Sequence, residues 1–132
     1  MILSIGVDSI EIHRFVKWNT YSYKNLLRIF SEQEIKYCLK YKNKSAERFA
    51  ARFAAKEAFF KAFSVMNSSI YIPFLTLCRY VSVQKFQERP VLCVNWQQIA
   101  LIKSIQVPSI ACHLSLTHTK ICATAFIVIE KI

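Results

Sequence analysis

The stretch RFAARFAAKEAFFKAF, residues 48–63, holds five phenylalanines and six alanines and neither glycine nor proline. Its composition favours helix, and the absence of breakers from about residue 46 to 63 predicts one long helix there. At about 100° per residue, Phe49, Phe53, Phe60 and Phe63 fall in one arc and Ala51, Ala55, Ala58 and Ala62 fall opposite, so both sides are expected to be buried. Between the arcs lie Glu57 and Lys61, one turn apart, on a strip with Ala50 and Ala54 whose small side chains leave space. Taken alone they make an i, i+4 ion pair worth about 0.3 kcal/mol.

Asp8 gives that strip a second reading. Residues 2–8 alternate, with Leu3, Ile5 and Val7 on one face and Ser4, Gly6 and Asp8 on the other, which predicts a strand closed by Asp8. Gly6 is the only glycine of the chain, and glycine inside a strand marks a bulge or a place where another backbone comes close. If the long helix is what comes close, Asp8 and Glu57 converge beside Lys61. They would then offer oxygen donors to a hard divalent ion that keeps waters and substrate phosphates in its shell. His118 stands at a predicted strand end in the Ser/Thr-rich LSLTHT, residues 114–119, whereas His13 and His113 have no such company.

Ser31 and Glu34 match a capping box, so a second helix is expected to start at Ser31. KYKNK, residues 40–44, reads as a charged connector. Beyond Pro73, FLTLCRYVSVQKF and VLCV flank QERP as a hairpin, NWQQIALIKSI reads as a short helix, and strands over 109–117 and 121–130 flank a turn at 118–120.

At 132 residues the chain suits a single small domain, residues 1–132, and the mix of helix and strand gives an α+β fold with antiparallel strands around the long helix. Lysine and arginine outnumber aspartate and glutamate by 18 to 8, a formal charge of +10, which calls for an acidic or phosphorylated partner. The longest uncharged run, 62–78, carries too many polar residues to span a bilayer, so no membrane partner is expected. The opening MILSIGVDSIEIHRF meets Asp8 and Glu11 at once and does not read as a signal peptide, which points to the cytoplasm. Five widely spaced cysteines form no C-x-x-C pair and read as buried free thiols.

Three stretches resemble one family. GVDSIEIHRF, residues 6–15, is similar to the G-[IVL]-D-[IV]-x-E-[IL]-x-R-[IF] opening of the bacterial holo-acyl-carrier-protein synthases, small 4′-phosphopantetheinyl transferases, with Ser9 the one mismatch. RFAAKEAFFKAF, residues 52–63, resembles their R-[FW]-A-A-K-E-A-x-x-K-A-[FL] run, and LSLTHTKICATAFIVIE, residues 114–130, resembles their closing strand pair. The resemblance implies transfer of 4′-phosphopantetheine from coenzyme A to a serine of apo acyl carrier protein, with magnesium as cofactor. It implies Asp8 and Glu57 as metal ligands, Glu57, Lys61 and His118 as catalytic groups, and Lys61, His118 and Arg52 around the coenzyme A phosphates. It also implies a homotrimer with sites between subunits. Arg52 and Lys61 project to nearly opposite sides of one helix, a difficulty that a shared site removes.

Because the carrier proteins of this family are acidic, Arg14, Lys17, Lys24 and Arg28, with Phe15 and Trp18 among them, are the expected docking face. The chain departs from the family after the long helix, where SVMNSS, residues 64–69, replaces a glycine-rich turn; Asn67 is the residue able to take the positive φ that glycine would supply. Two other classes remain in view: a silent relative that binds the carrier protein only, and a nucleic-acid module using Tyr21, Tyr23, Tyr37 and Tyr41 among lysines. Neither nucleic acid nor a membrane is the expected partner.

Overall fold

A computed structural model describes residues 1–103 and 109–132. Strand β1 (Ile2–Glu11) is followed by 3-10 turns at Ile12–Phe15 and Trp18–Thr20 and by a one-turn helix α1 (Tyr23–Leu26). Helix α2 (Glu32–Leu39), a 3-10 turn at Lys42–Lys44 and the long helix α3 (Ser45–Met66) come next. The rest comprises α4 (Phe74–Cys78), the hairpin β2 (Val81–Phe86) and β3 (Arg89–Val94), α5 (Trp96–Lys103), β4 (Ile110–His118) and β5 (Cys122–Lys131). The fold is the expected α+β arrangement. An antiparallel sheet of order β1-β5-β4 lies along α3, and the β2–β3 hairpin forms a second, two-stranded sheet.

Helix α3 is the axis of the core. Phe49, Ala50, Ala54, Ala55, Ala58, Phe59, Ala62 and Phe63 are all buried, so the helix is covered on several sides, as its two apolar arcs require. The phenylalanines meet Phe15, Trp18, Phe30 and Trp96, and the alanines let the sheet come near. The inner sheet face supplies Ile10, Ala123, Ala125, Ile127 and Ile129, all buried. Helix α2 begins as expected: Ser31 Oγ accepts from the Glu34 amide, and Glu34 Oε1 accepts from the Ser31 amide at 2.8 Å.

Four expectations are corrected. Asp8 does not close β1, which runs on to Glu11 because Ser9, Ile10 and Glu11 pair with Thr124, Ala123 and Cys122. Residues 74–78 are helical: Leu77 and Cys78 are buried and Phe74 is half-buried, an i, i+3, i+4 pattern that a strand cannot bury on one face, and the hairpin starts only at Val81. Asn67 ends α3 at φ −123°, ψ 59°. Its amide donates to the Phe63 carbonyl, so the exit needs no left-handed residue. The positive φ values occur instead at Gln87 (50°) and Glu88 (62°), the two turn residues of the hairpin, where left-handed backbone costs a non-glycine residue about 1–2 kcal/mol. The fourth correction is Phe15, which is 2 % exposed and packs on Trp18 with ring centroids 4.5 Å apart; it belongs to the core, not to a docking face.

The helix expected over NWQQIALIKSI is present as α5, and the end of that stretch lies outside the described residues. Cys38 and Cys78 are buried, and burial pushes the Cys38, Cys78 and Cys112 thiols up to about 12. Among the described residues no helix is long and apolar enough to cross a membrane.

Candidate active site

The sheet reaches α3 at Gly6. A Cβ built there would overlap the Ala58 carbonyl oxygen and lie 3.1 Å from the Ala62 Cβ, so the strand and helix backbones touch where the chain has its only glycine. Glycine is needed for this contact and not for φ, since its backbone is not left-handed. Gly6→Ala is expected to cost about 3 kcal/mol, because a rigid backbone carbonyl must move; thermal melting of the variant checks this.

Two residues further on, Asp8 leaves the same inner face of β1. Its Oδ1 lies 3.0 Å from Lys61 Nζ, which also donates to the Val7 carbonyl at 3.1 Å. Lys61 is therefore tied to the strand and not to its helical neighbour, and Glu57 forms no ion pair among the described residues. Burial raises the Glu57 carboxyl above its ordinary range, and the charge of Asp8 raises it further, against the opposing pull of Lys61 and Arg14. Asp8, Glu57, Lys61 and Arg14 thus share one electrostatic neighbourhood. Two carboxylates that repel each other at a half-buried place are a donor set a small divalent cation would relieve. Among the described residues no group of three His, Cys, Asp or Glu side chains is placed to enclose a metal, so such an ion would draw its other ligands from water and substrate.

His118 and Arg52 lie elsewhere. His118 ends β4 with its Nε2 3.1 Å from Glu47 Oε1, at the first turn of α3. Glu47 and Glu57 are ten residues apart, about 15 Å along the helix axis. Arg52 is buried on the far side of α3 from Lys61, with its guanidinium carbon 4.1 Å from the Tyr37 ring centroid. Both line a cavity of about 360 Å³ that also receives Lys44, Arg48 and Lys85. The candidate residues thus form two groups, Asp8–Glu57–Lys61 and Arg52–His118, which one chain does not bring to a common point. Arg14, Lys17, Lys24 and Arg28 are exposed on the turns and short helix between β1 and α2. Tyr37, grouped in the sequence with tyrosines that could stack on bases, has cations against its ring instead.

One buried polar group escaped the sequence reading. Lys56 is 2 % exposed, and its amine donates to Glu34 Oε1, the Ile29 carbonyl and the Val81 carbonyl, each at 2.7 Å. Glu34 Oε2 also accepts from the Val83 amide at 2.9 Å. The signal was present: at 100° per residue Lys56 falls inside the phenylalanine arc, where a lysine must find a buried partner.

Residues 4–116 match the model of the 4′-phosphopantetheinyl transferase superfamily. The chain belongs to that family. It is 35 % identical over 130 residues to the holo-[acyl-carrier-protein] synthase of Treponema denticola, covering 98 % of this chain and 99 % of that one. The holo-(acyl-carrier-protein) synthase of Bacillus anthracis in complex with CoA (3′,5′-ADP) aligns with a TM-score of 0.72 at 30 % identity, over 100 % of this chain and 99 % of the other. That of Helicobacter pylori in complex with coenzyme A aligns at 0.70 and 25 % identity, over 96 % and 99 %. Within the superfamily the chain is an enzyme of the holo-[acyl-carrier-protein] synthase type.

Proposed function

We propose that the enzyme moves 4′-phosphopantetheine from coenzyme A to a serine of an acidic apo acyl carrier protein, releasing adenosine 3′,5′-bisphosphate, with Mg2+ as cofactor. The reading places it in fatty-acid synthesis in the cytoplasm. The observation that carries the proposal is the convergence of Asp8 and Glu57 beside Lys61, made possible by the Gly6 contact with Ala58. Asp8 and Glu57 would hold the metal, whose bound charge supplies neutralisation at the pyrophosphate. The serine oxygen attacks the β-phosphorus as its hydroxyl proton passes to water, the bond from that phosphorus to the bridging oxygen breaks, and negative charge gathers on the departing nucleotide. Lys61, fixed by Asp8 and the Val7 carbonyl, keeps a cation beside that charge. Arg52 and His118 would orient the nucleotide end. Arg14 influences Glu57 from the turn after β1, so a carrier protein docked on Arg14, Lys17, Lys24 and Arg28 would present its serine beside the carboxylates.

The half-turn between Arg52 and Lys61 favours a homotrimer with sites shared between neighbours. The outer sheet face agrees, since Ile5, Val7 and Phe126 are 57 %, 52 % and 42 % exposed and side by side in register. Co-expression of Lys61→Met and His118→Ala chains tests this. If each site takes Lys61 from one subunit and His118 from the next, the co-expressed pool, assembled at random from equal amounts, recovers about a quarter of wild-type activity although each variant alone is inactive. No recovery would assign both residues to one subunit.

A further inference from the structure

The cavity at the start of α3 gathers Lys44, Arg48, Arg52, Lys85 and His118 around a single acid, Glu47, which is engaged by His118. Cations this close repel one another. Carboxylate partners would relieve the repulsion but would occupy the donors along the edge of each guanidinium. Here the relief comes from a ring: Arg48 and Arg52 have their guanidinium carbons 3.9 and 4.1 Å from the Tyr37 centroid, and the Lys85 amine is 4.8 Å from it. An aromatic face attracts a guanidinium while leaving its in-plane N–H groups free. Arg52 is 5 % exposed, and its Nε has no hydrogen-bond partner among the described residues. Arg48 is fixed twice by the same residue, since its Nη1 also donates to the Tyr37 carbonyl at 2.8 Å.

We propose that Tyr37 is a positioning residue for substrate binding: its ring holds Arg48 and Arg52 against it, with the donors of Arg52 and the remaining donors of Arg48 free for the phosphates at the nucleotide end of coenzyme A. The proposal rests on the reading of this cavity given under the proposed function. Burial alone would raise the Tyr37 phenol, but the hydrogen bond from Lys85 and the charges of Arg48, Arg52 and Lys85 outweigh it and lower the phenol, as a ring enclosed by cations requires. Tyr37 governs affinity for the nucleotide and leaves the chemical step untouched.

Calorimetric titration with adenosine 3′,5′-bisphosphate tests this on the wild type, Tyr37→Leu, Tyr37→Gln, Tyr37→Phe and Arg52→Ala, each checked by circular-dichroism melting. Tyr37→Leu and Tyr37→Gln are expected to bind about tenfold more weakly and to raise KM for coenzyme A alike, with kcat within about twofold. Tyr37→Phe keeps the ring and retains the affinity. The glutamine variant serves if leucine fails to fold. Wild-type affinity in Tyr37→Leu and Tyr37→Gln with a loss in Arg52→Ala overturns the proposal and leaves the cavity reading standing. Wild-type affinity in Arg52→Ala as well removes that reading, and the proposal with it. An equal loss in Tyr37→Phe and Tyr37→Leu would give the role to the hydroxyl and also overturn it.

Discussion

Glu57→Gln is expected to transfer phosphopantetheine at least about a hundredfold more slowly than the parent at limiting Mg2+ while folding as well or better. The loss follows from the donor set: with one of two carboxylates neutral, Asp8 alone is left to hold the ion, and its Oδ1 is already shared with Lys61. The stability half has the opposite sign. Glu57 has a raised folded-state pKa, through burial and then the charge of Asp8. The folded chain therefore binds that proton more tightly than the unfolded chain does. As pH rises through the ordinary carboxylate range toward the folded value, the unfolded chain ionises first and stability is lost; at neutral pH the ionised side chain works against the metal-free fold. Glutamine removes that charge at constant shape. Initial rates against Mg2+ concentration, with melting in chelator, separate the two effects. A parent-like rate would remove Glu57 from the site, and a much lower melting temperature would make it a structural residue.

Lys56→Met is expected to destabilise the fold by about 3–5 kcal/mol, a large part of the total stability of a domain of this size. The amine satisfies the buried Glu34 carboxylate and the Ile29 and Val81 carbonyls at once. Methionine fills the space and offers no donor, so a nearly inaccessible carboxylate keeps its charge with only the Ser31 and Val83 amides against it. Because Glu34 is also the third residue of α2 and its capping box, the loss spreads to the packing of α2 on α3 and the hairpin. Adding Glu34→Gln should recover part of the loss, since the uncompensated charge goes. Urea unfolding of both variants measures this, and a Lys56→Met penalty under about 1 kcal/mol would contradict the account.

What was legible in the sequence follows from how local each signal is. The long helix and the Ser31–Glu34 cap depend on neighbours within one or two turns, and both are found where the residues place them. The solitary glycine carried the one long-range inference, because a missing side chain in a strand leaves few explanations, and the close backbone is that of α3. Alternation along β1 does not say which face is covered. In this chain the polar face, with Ser4, Gly6 and Asp8, meets the helix, while Ile5 and Val7 stay open. The short run after Pro73 fails as a strand because five residues, four of them apolar, fit either period, and only packing chooses between them. The Arg48–Tyr37–Arg52 stack joins α2 to α3 across a charged connector that gives no hint of the return angle, so Tyr37 was legible only as one of four tyrosines among lysines and Arg48 had no assigned role.

The central claim is that Asp8 and Glu57 make one metal-dependent transfer site. Its most direct test is the intact mass of an acidic apo acyl carrier protein after incubation with this enzyme, coenzyme A and Mg2+, beside an Asp8→Asn variant and a chelator control. The account predicts a gain of one phosphopantetheine with the parent enzyme and none in either control; an equal gain with Asp8→Asn, or in chelator, would contradict it.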